Sequence, residues 1–204
     1  MKYSLPYRGQ CGNLYPGGDS DLETLMHVLQ AKDNYTARHC HRVMALTVSL
    51  CDHLKLDQSV RKHSGLAALY HDVGKLGVTS AILNKRHRLK KSEWRAIHAH
   101  PTLGEEIFGS IVPCERVAAI ISQHHEAWDG TGYPRGLQMT DISFEARLLH
   151  ICDVYDALTS DRPYRPAYPP TQAISIIRKG IGQEFDPEIA AAFIQMKDQL
   201  RRVA

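Results

Sequence analysis

Leu66-Ala67-Ala68-Leu69-Tyr70-His71-Asp72-Val73-Gly74-Lys75 is the stretch on which the reading of this chain turns. An apolar helical run ends there on an imidazole beside a carboxylate, followed at once by a glycine and a lysine. A glycine in that position can stop a helix by adopting the left-handed conformation. That places His71 and Asp72 in the last helical turn, with Lys75 swung back over them. A carboxylate can bridge two cations while the neighbouring imidazole binds one of them. The plainer alternative is a helix C-terminus carrying a cationic histidine, which the helix dipole favours. The ligand-type residues elsewhere in the chain decide between the two.

Upstream, the helix that ends at His71 should begin near Asp57, with Val60, Ala67 and His71 on one face. A helix beginning near Asp33-Asn34 carries His39, Val43, Leu46 and Leu50 at i, i+4, i+7 and i+11, so His39 also points to the core. Ser20-Asp21-Leu22-Glu23 reads as a capping box, and Leu22, Leu25, Met26 and Leu29 then keep helical spacing. Residues 1–19, rich in Gly, Pro and Tyr without a period, read as a tail.

Downstream, Leu76 to Lys91 reads as a loop with basic residues at Lys85, Arg86, Arg88, Lys90 and Lys91. Ser92-Glu93-Trp94 opens a short helix, and His98-Ala99-His100-Pro101 passes into another with Pro101 in its first turn. Val117 to Ser122 is an apolar helical stretch leading into Gln123-His124-His125-Glu126. The glycine-rich loop Trp128-Asp129-Gly130-Thr131-Gly132-Tyr133-Pro134 follows. Ser143 is the expected N-cap of a helix on which Ala146, Leu149, Asp153 and Ala157 share a face. An acid on an apolar face is costly unless it is paired or bound to a cation. The proline-rich segment from Asp161 to Pro170 cannot be helical throughout. Thr171 to Lys179 reads as a helix stopped at Gly180, and Asp186-Pro187-Glu188 opens the last one. No alternating strand pattern and no repeat occurs, so the expected fold is all-α, a single helical domain over residues 20–204.

A chain of 204 residues is ample for one core. Its formal charge of +3 is too small to argue for nucleic-acid or membrane binding. The twelve histidines are the compositional anomaly. The five cysteines, Cys11, Cys40, Cys51, Cys114 and Cys152, are scattered and form no CxxC pair, which suits small buried residues in a reducing compartment. No apolar run approaches the length of a membrane span, so a cytoplasmic protein is expected.

Ligand-type side chains thus fall on the inner faces or ends of five helices: His39, His71 with Asp72, His100, His124 with His125, and Asp153. Imidazoles and carboxylates without a thiolate do not suit one structural zinc site. They suit a pair of borderline or harder cations sharing a carboxylate. Two metals about 3.5–4 Å apart can hold a hydroxide nucleophile and clamp a phosphoryl oxygen.

From about Leu22 to Phe193 the chain resembles the HD-GYP domains, a branch of the HD phosphohydrolase superfamily. The matching stretches are Asp33 to His39, His71 to Lys75, and His124-His125-Glu126 through Tyr133-Pro134. Asp153-Val154-Tyr155-Asp156-Ala157-Leu158-Thr159-Ser160-Asp161-Arg162-Pro163-Tyr164-Arg165 and Phe185-Asp186-Pro187 complete the match. The resemblance implies an HD-type helical bundle and hydrolysis of cyclic di-GMP to pGpG, and in some members on to GMP. It implies two divalent transition-metal ions, iron or manganese. His39, His71, Asp72 and Asp153 would hold one, and His100, His124 and His125 the other, with Asp72 bridging. Members with a third metal use a glutamate where Tyr35 stands here, so a dinuclear site is expected.

The resemblance gives further residues physical roles. Asp72 and Lys75 are the expected catalytic pair, with Lys75 binding the scissile phosphate or protonating the leaving oxygen. Gly132, Tyr133, Arg162 and Arg165 join Lys75 as substrate contacts, Tyr133 offering an aromatic face to a guanine and the arginines gripping phosphates. Tyr133 could instead cap the core, and Arg162 could pair with Asp161 or Asp156. Thr79 and Arg86-His87 stand where the family often has Pro and Pro-Gly, which bears on substrate grip and rate. The expected partners are cyclic di-GMP, diguanylate cyclase (GGDEF) proteins or a separate sensor protein, and a second copy in a homodimer. Two rivals stand beside this reading: an HD phosphohydrolase for another cyclic nucleotide, and an adaptor that binds diguanylate cyclases with little turnover.

Overall fold

The computed structural model describes residues 18–83, 85, 87–161 and 166–203. They form the helices α1 (Gly18–Lys32), α2 (Asn34–His53), α3 (Gln58–Tyr70), α4 (Ser80–Leu83), α5 (Lys91–His98), α6 (His100–Ile111), α7 (Glu115–Gln123), α8 (Phe144–Thr159), α9 (Pro170–Lys179) and α10 (Pro187–Val203). Among the described residues the only extended pairing is an isolated bridge between Ile181 and Phe185. The expected all-α fold is borne out.

Local chemistry sets most of the boundaries. The Asp33 carboxylate accepts from the amides of Tyr35 and Thr36 and starts α2. Asp186 accepts from the amides of Glu188 and Ile189 at the start of α10, while its other oxygen takes Arg147 from α8. α1 is described from Gly18, two residues before the start that Ser20 suggested. The stretch expected as a loop after Leu76 contains α4.

The central helix α2 packs against α1, α3 and α8, while α6 packs against α7 and the 3₁₀ turn Val73–Gly77. Their shared core holds Leu29, Leu50, Tyr70, Phe108, Ile120, Ile121, Leu148, Leu149 and Phe193, all essentially inaccessible. Burial of each such side chain contributes roughly 1.5–3 kcal/mol. The Tyr70 hydroxyl donates to the Leu22 carbonyl and ties α1 to α3. Cys40, Cys51 and Cys152 are free and buried, as expected.

The turn after α3 differs from expectation. The helix ends at Tyr70, and His71 and Asp72 follow it with φ, ψ of −55°, −34° and −96°, 5°. Gly74 is not left-handed; positive φ among the described glycines occurs at Gly130, Gly136 and Gly182. A Cβ on Gly74 would lie 1.9 Å from the His100 carbonyl oxygen and 2.6 Å from the Gly104 amide. Gly74 is therefore required by the close approach of the 3₁₀ turn to the start of α6, not by a helix stop. That approach brings His71-Asp72 against His100.

Candidate metal centre

Three histidines of the centre are set by the same device. The carbonyls of a helix's last turn have no amide partner within the helix. His71 Nδ1 donates to the Ala68 carbonyl (2.8 Å), His100 Nδ1 to Ile97 (2.6 Å) and His124 Nδ1 to Ile121 (2.6 Å). Each acceptor lies three residues back, at the end of α3, α5 or α7. A carbonyl only accepts, so each Nδ1 carries the proton and each Nε2 lone pair is turned inward. His39 is oriented by a carboxylate: its Nδ1 donates to Asp156 Oδ2 at 2.7 Å.

The inward atoms form two groups. His39, His71 and Asp153 place one ligand atom each within 4.8 Å of one another, and so do His100, His124 and His125. His39 Nε2 lies 2.9 Å from Asp153 Oδ1, and His71 Nε2 3.9 Å from the same oxygen. His100 Nε2 and His124 Nε2 are 3.2 Å apart. Asp72 stands between the groups: Oδ2 is 3.6 Å from His71 Nε2 and 4.0 Å from His39 Nε2, while Oδ1 is 3.3 Å from His100 Nε2. All seven residues expected as ligands are thus brought together, six of them buried and His125 half-buried.

Charge distinguishes the two groups. Burial pushes His100 down to about 4 and holds His124 and His125 well below the ordinary imidazole range. Those three are neutral near pH 7. Burial acts downward on His39 as well, but hydrogen bonds to Asp153 and Asp156 outweigh it and raise His39 to about 9. Burial would raise Asp72, yet the Lys75 ammonium and three imidazoles hold it well below the carboxylate range. Lys75 Nζ donates to Asp72 Oδ2 at 2.6 Å with 24 % of its side chain exposed, so the lysine does reach back over the pair. Asp72 also raises Lys75 against the effect of burial, and the ammonium stays charged.

These residues fit divalent metal ions. His71 Nε2 is buried with no hydrogen-bond partner, an expensive state for a polar atom unless something else takes its lone pair. The donors are imidazole nitrogens and carboxylate oxygens. Cys40 also comes near His71 and Asp72, but burial raises its thiol well above the ordinary range and keeps it protonated.

The glycine-rich loop sits against the same centre. A Cβ on Gly132 would lie 2.2 Å from the Ala127 amide, so only glycine lets the loop fold back on His125 and Ala127. The Tyr133 amide donates to the His125 carbonyl, and Glu126 accepts from the amides of Arg135 and Leu137. The Tyr133 ring is stacked between His125 (4.8 Å, 28°) and His98 (4.1 Å, 9°). Its two faces are therefore covered, and a guanine cannot stack on it as the sequence suggested. Arg162 and Arg165 lie outside the described residues; Asp156, one partner considered for Arg162, is taken by His39 and by Arg42 at 2.8 and 2.9 Å.

Sequence reasoning gave no role at the centre to Asp156, Arg42, His150 or His98. His150 Nδ1 donates to the His124 carbonyl at 2.8 Å and steadies the His124-His125 turn. His150, Asp153 and Asp156 stand three apart on α8, a polar stripe on a mostly buried helix that the spacing alone could have shown.

The family profile described as "HD domain" matches residues 23–189. A 3'3'-cGAMP-specific phosphodiesterase of Vibrio cholerae is 39% identical over 87% of this chain and 39% of its own length. A cyclic di-GMP phosphodiesterase of Pseudomonas aeruginosa is 39% identical over 82% of the chain and 40% of its own length. The chain therefore spans about two fifths of these relatives. A crystal structure of the Vibrio cholerae cyclic GMP-AMP-specific phosphodiesterase superposes with a TM-score of 0.53 at 34% identity, over 85% of this chain and 39% of that one. The HD domain of the Listeria monocytogenes phosphodiesterase PgpH, solved with cyclic-di-AMP, shares the fold (TM-score 0.64, 17% identity, 88% of this chain and 96% of that one).

Proposed function

Because this chain belongs to the HD-domain family, with its HD-GYP motifs in place, we propose that it is a metal-dependent phosphodiesterase that hydrolyses cyclic di-GMP to pGpG, a product that some members of the family carry on to GMP. The observation that carries this reading is Asp72, one oxygen turned to each of two three-residue groups. His39, His71 and Asp153 would hold one divalent ion and His100, His124 and His125 the other, iron or manganese, with Asp72 shared. Bound there, the ions would supply an ionised water and neutralise a phosphate oxygen.

The chain's own residues do the rest. Lys75 presents a fixed ammonium beside the shared carboxylate, where a phosphate oxygen can accept from it. Its raised pKa favours that grip over giving up a proton to the leaving ribose oxygen. The Gly132-Tyr133 turn walls the site, and Arg162 and Arg165, which lie outside the described residues, are the proposed phosphate grips. Asp156 and the three helix-end carbonyls keep the imidazoles from turning away. We place this domain at residues 20–204 and the protein in the cytoplasm, where free thiols persist. Diguanylate cyclases, a separate sensor and a second copy remain its proposed partners.

A second reading has a specific observation behind it. The relative named for 3'3'-cGAMP is as similar to this chain as the one named for cyclic di-GMP. Turnover of metal-loaded protein against cyclic di-GMP, 3'3'-cGAMP and cyclic di-AMP separates the two. The proposal expects cyclic di-GMP to be cleaved with the highest kcat/KM. Preference for 3'3'-cGAMP would move the assignment to the second reading, and cleavage of none would overturn both.

A further inference from the structure

With both faces of Tyr133 covered, a purine base at this site needs another aromatic surface. Among the described residues Trp94 is the only exposed large aromatic side chain, 49 % accessible. Lys91, Trp94 and His98 stand at i, i+3 and i+7 on α5, which sets them in one stripe, and Arg95 lies beside it. All four are exposed. The acid of this helix, Glu93, is already engaged by the Lys85 ammonium and the Lys90 amide.

The stripe is tied to the metal centre by ring contacts. Trp94 meets His98 edge-on (5.3 Å, 68°), His98 stacks on Tyr133, and Tyr133 stacks on His125. The same C-terminal end of α5 is held a second time, because its Ile97 carbonyl orients His100. The surface end of this ladder is thus an indole flanked by cations, three ring contacts from the metal-binding group. A base has a π-face that stacks on an aromatic side chain, and nearby Lys or Arg offset the phosphate charge that comes with it.

We propose that Trp94, flanked by Lys91 and Arg95 and backed by His98, is the platform on which one purine base of the cyclic dinucleotide stacks while a phosphate lies at the metal centre. The proposal rests on the phosphodiesterase reading above. It assigns base recognition to α5, and it gives the His98–Tyr133 stack the role of fixing the platform to the centre.

The test is a kinetic and a spectroscopic comparison on the metal-loaded protein. Loss of a base stack is worth roughly fivefold to a hundredfold in affinity. Trp94→Ala should raise KM for cyclic di-GMP by about tenfold or more with little change in kcat, and Trp94→Phe should restore most of it. In stopped flow, cyclic di-GMP should quench indole emission before turnover; Trp94→Phe should abolish the quench and Trp128→Phe should retain it. An unchanged KM in Trp94→Ala, or a quench that survives Trp94→Phe, overturns the platform and leaves the phosphodiesterase reading standing. If the wild-type protein cleaves no cyclic dinucleotide, that reading falls; a Trp94-dependent quench would still support the platform, and its absence would overturn that too.

Discussion

Replacing Asp156 with asparagine should weaken one metal site and spare the other. Asp156 touches no inward ligand position; it accepts the His39 Nδ1–H at 2.7 Å and the Arg42 guanidinium at 2.8 and 2.9 Å. The Arg42 side chain is 42 % exposed, so water can replace what it loses. His39 is buried and has no such substitute. An amide in place of the carboxylate lowers the basicity of the imidazole and loosens its aim at Asp153 and Asp72. Loss of such a partner behind a ligating histidine typically costs about tenfold to a hundredfold in metal affinity, or ~1.4–2.7 kcal/mol. The assay is chelator competition on Asp156→Asn with metal content counted per chain. One ion should be lost at a chelator strength that leaves the second bound by His100, His124 and His125. Equal loss of both ions, or no loss, would refute the argument that Asp156 acts through His39 alone.

Three further outcomes follow from the same geometry. In the metal-free chain the proton on His39, held to about 9 by Asp153 and Asp156 against burial, must leave before a metal binds. Affinity at that group should fall about tenfold per unit as pH drops from 9 towards 6.5, while the group containing His100, at about 4, stays level; titration of metal against a chelator at several pH values checks it. The sign reverses for the metal-free fold, whose gain from protonated His39 is complete below 6.5 and lost as pH rises through about 9. Gly74→Ala should force the 3₁₀ turn off α6, since the clash is with backbone. It should cost at least about 1–3 kcal/mol, or roughly 2–4 °C in Tm per kcal/mol, and lower metal content with it, read by calorimetry and metal analysis. Asp72→Ala should lose metal and turnover together, whereas Lys75→Ala should keep both ions and lose rate; loss of metal from Lys75→Ala would remove it from its proposed role.

The sequence alone determined most of the helices, α4 excepted, and the set of candidate ligands. Both depend on short-range chemistry: Asp33 and Asp186 cap their helices through amides two and three residues away, and periodicity turns His39 and Asp153 inward whatever else packs against them. Which candidate ligand joins which group, given beforehand by the family resemblance and not by spacing, and that Asp72 divides its oxygens between them, depends on how α2, α3, α6, α7 and α8 converge. No spacing within one helix encodes that. The role of Gly74 was misread for the same reason, because the backbone it must admit, at His100 and Gly104, belongs to another element. Tyr133 shows the limit most plainly. Its place in the motif marked it as an exposed aromatic face, but a ring's availability is decided by what lies on both sides, and only the folded chain puts His98 on one and His125 on the other.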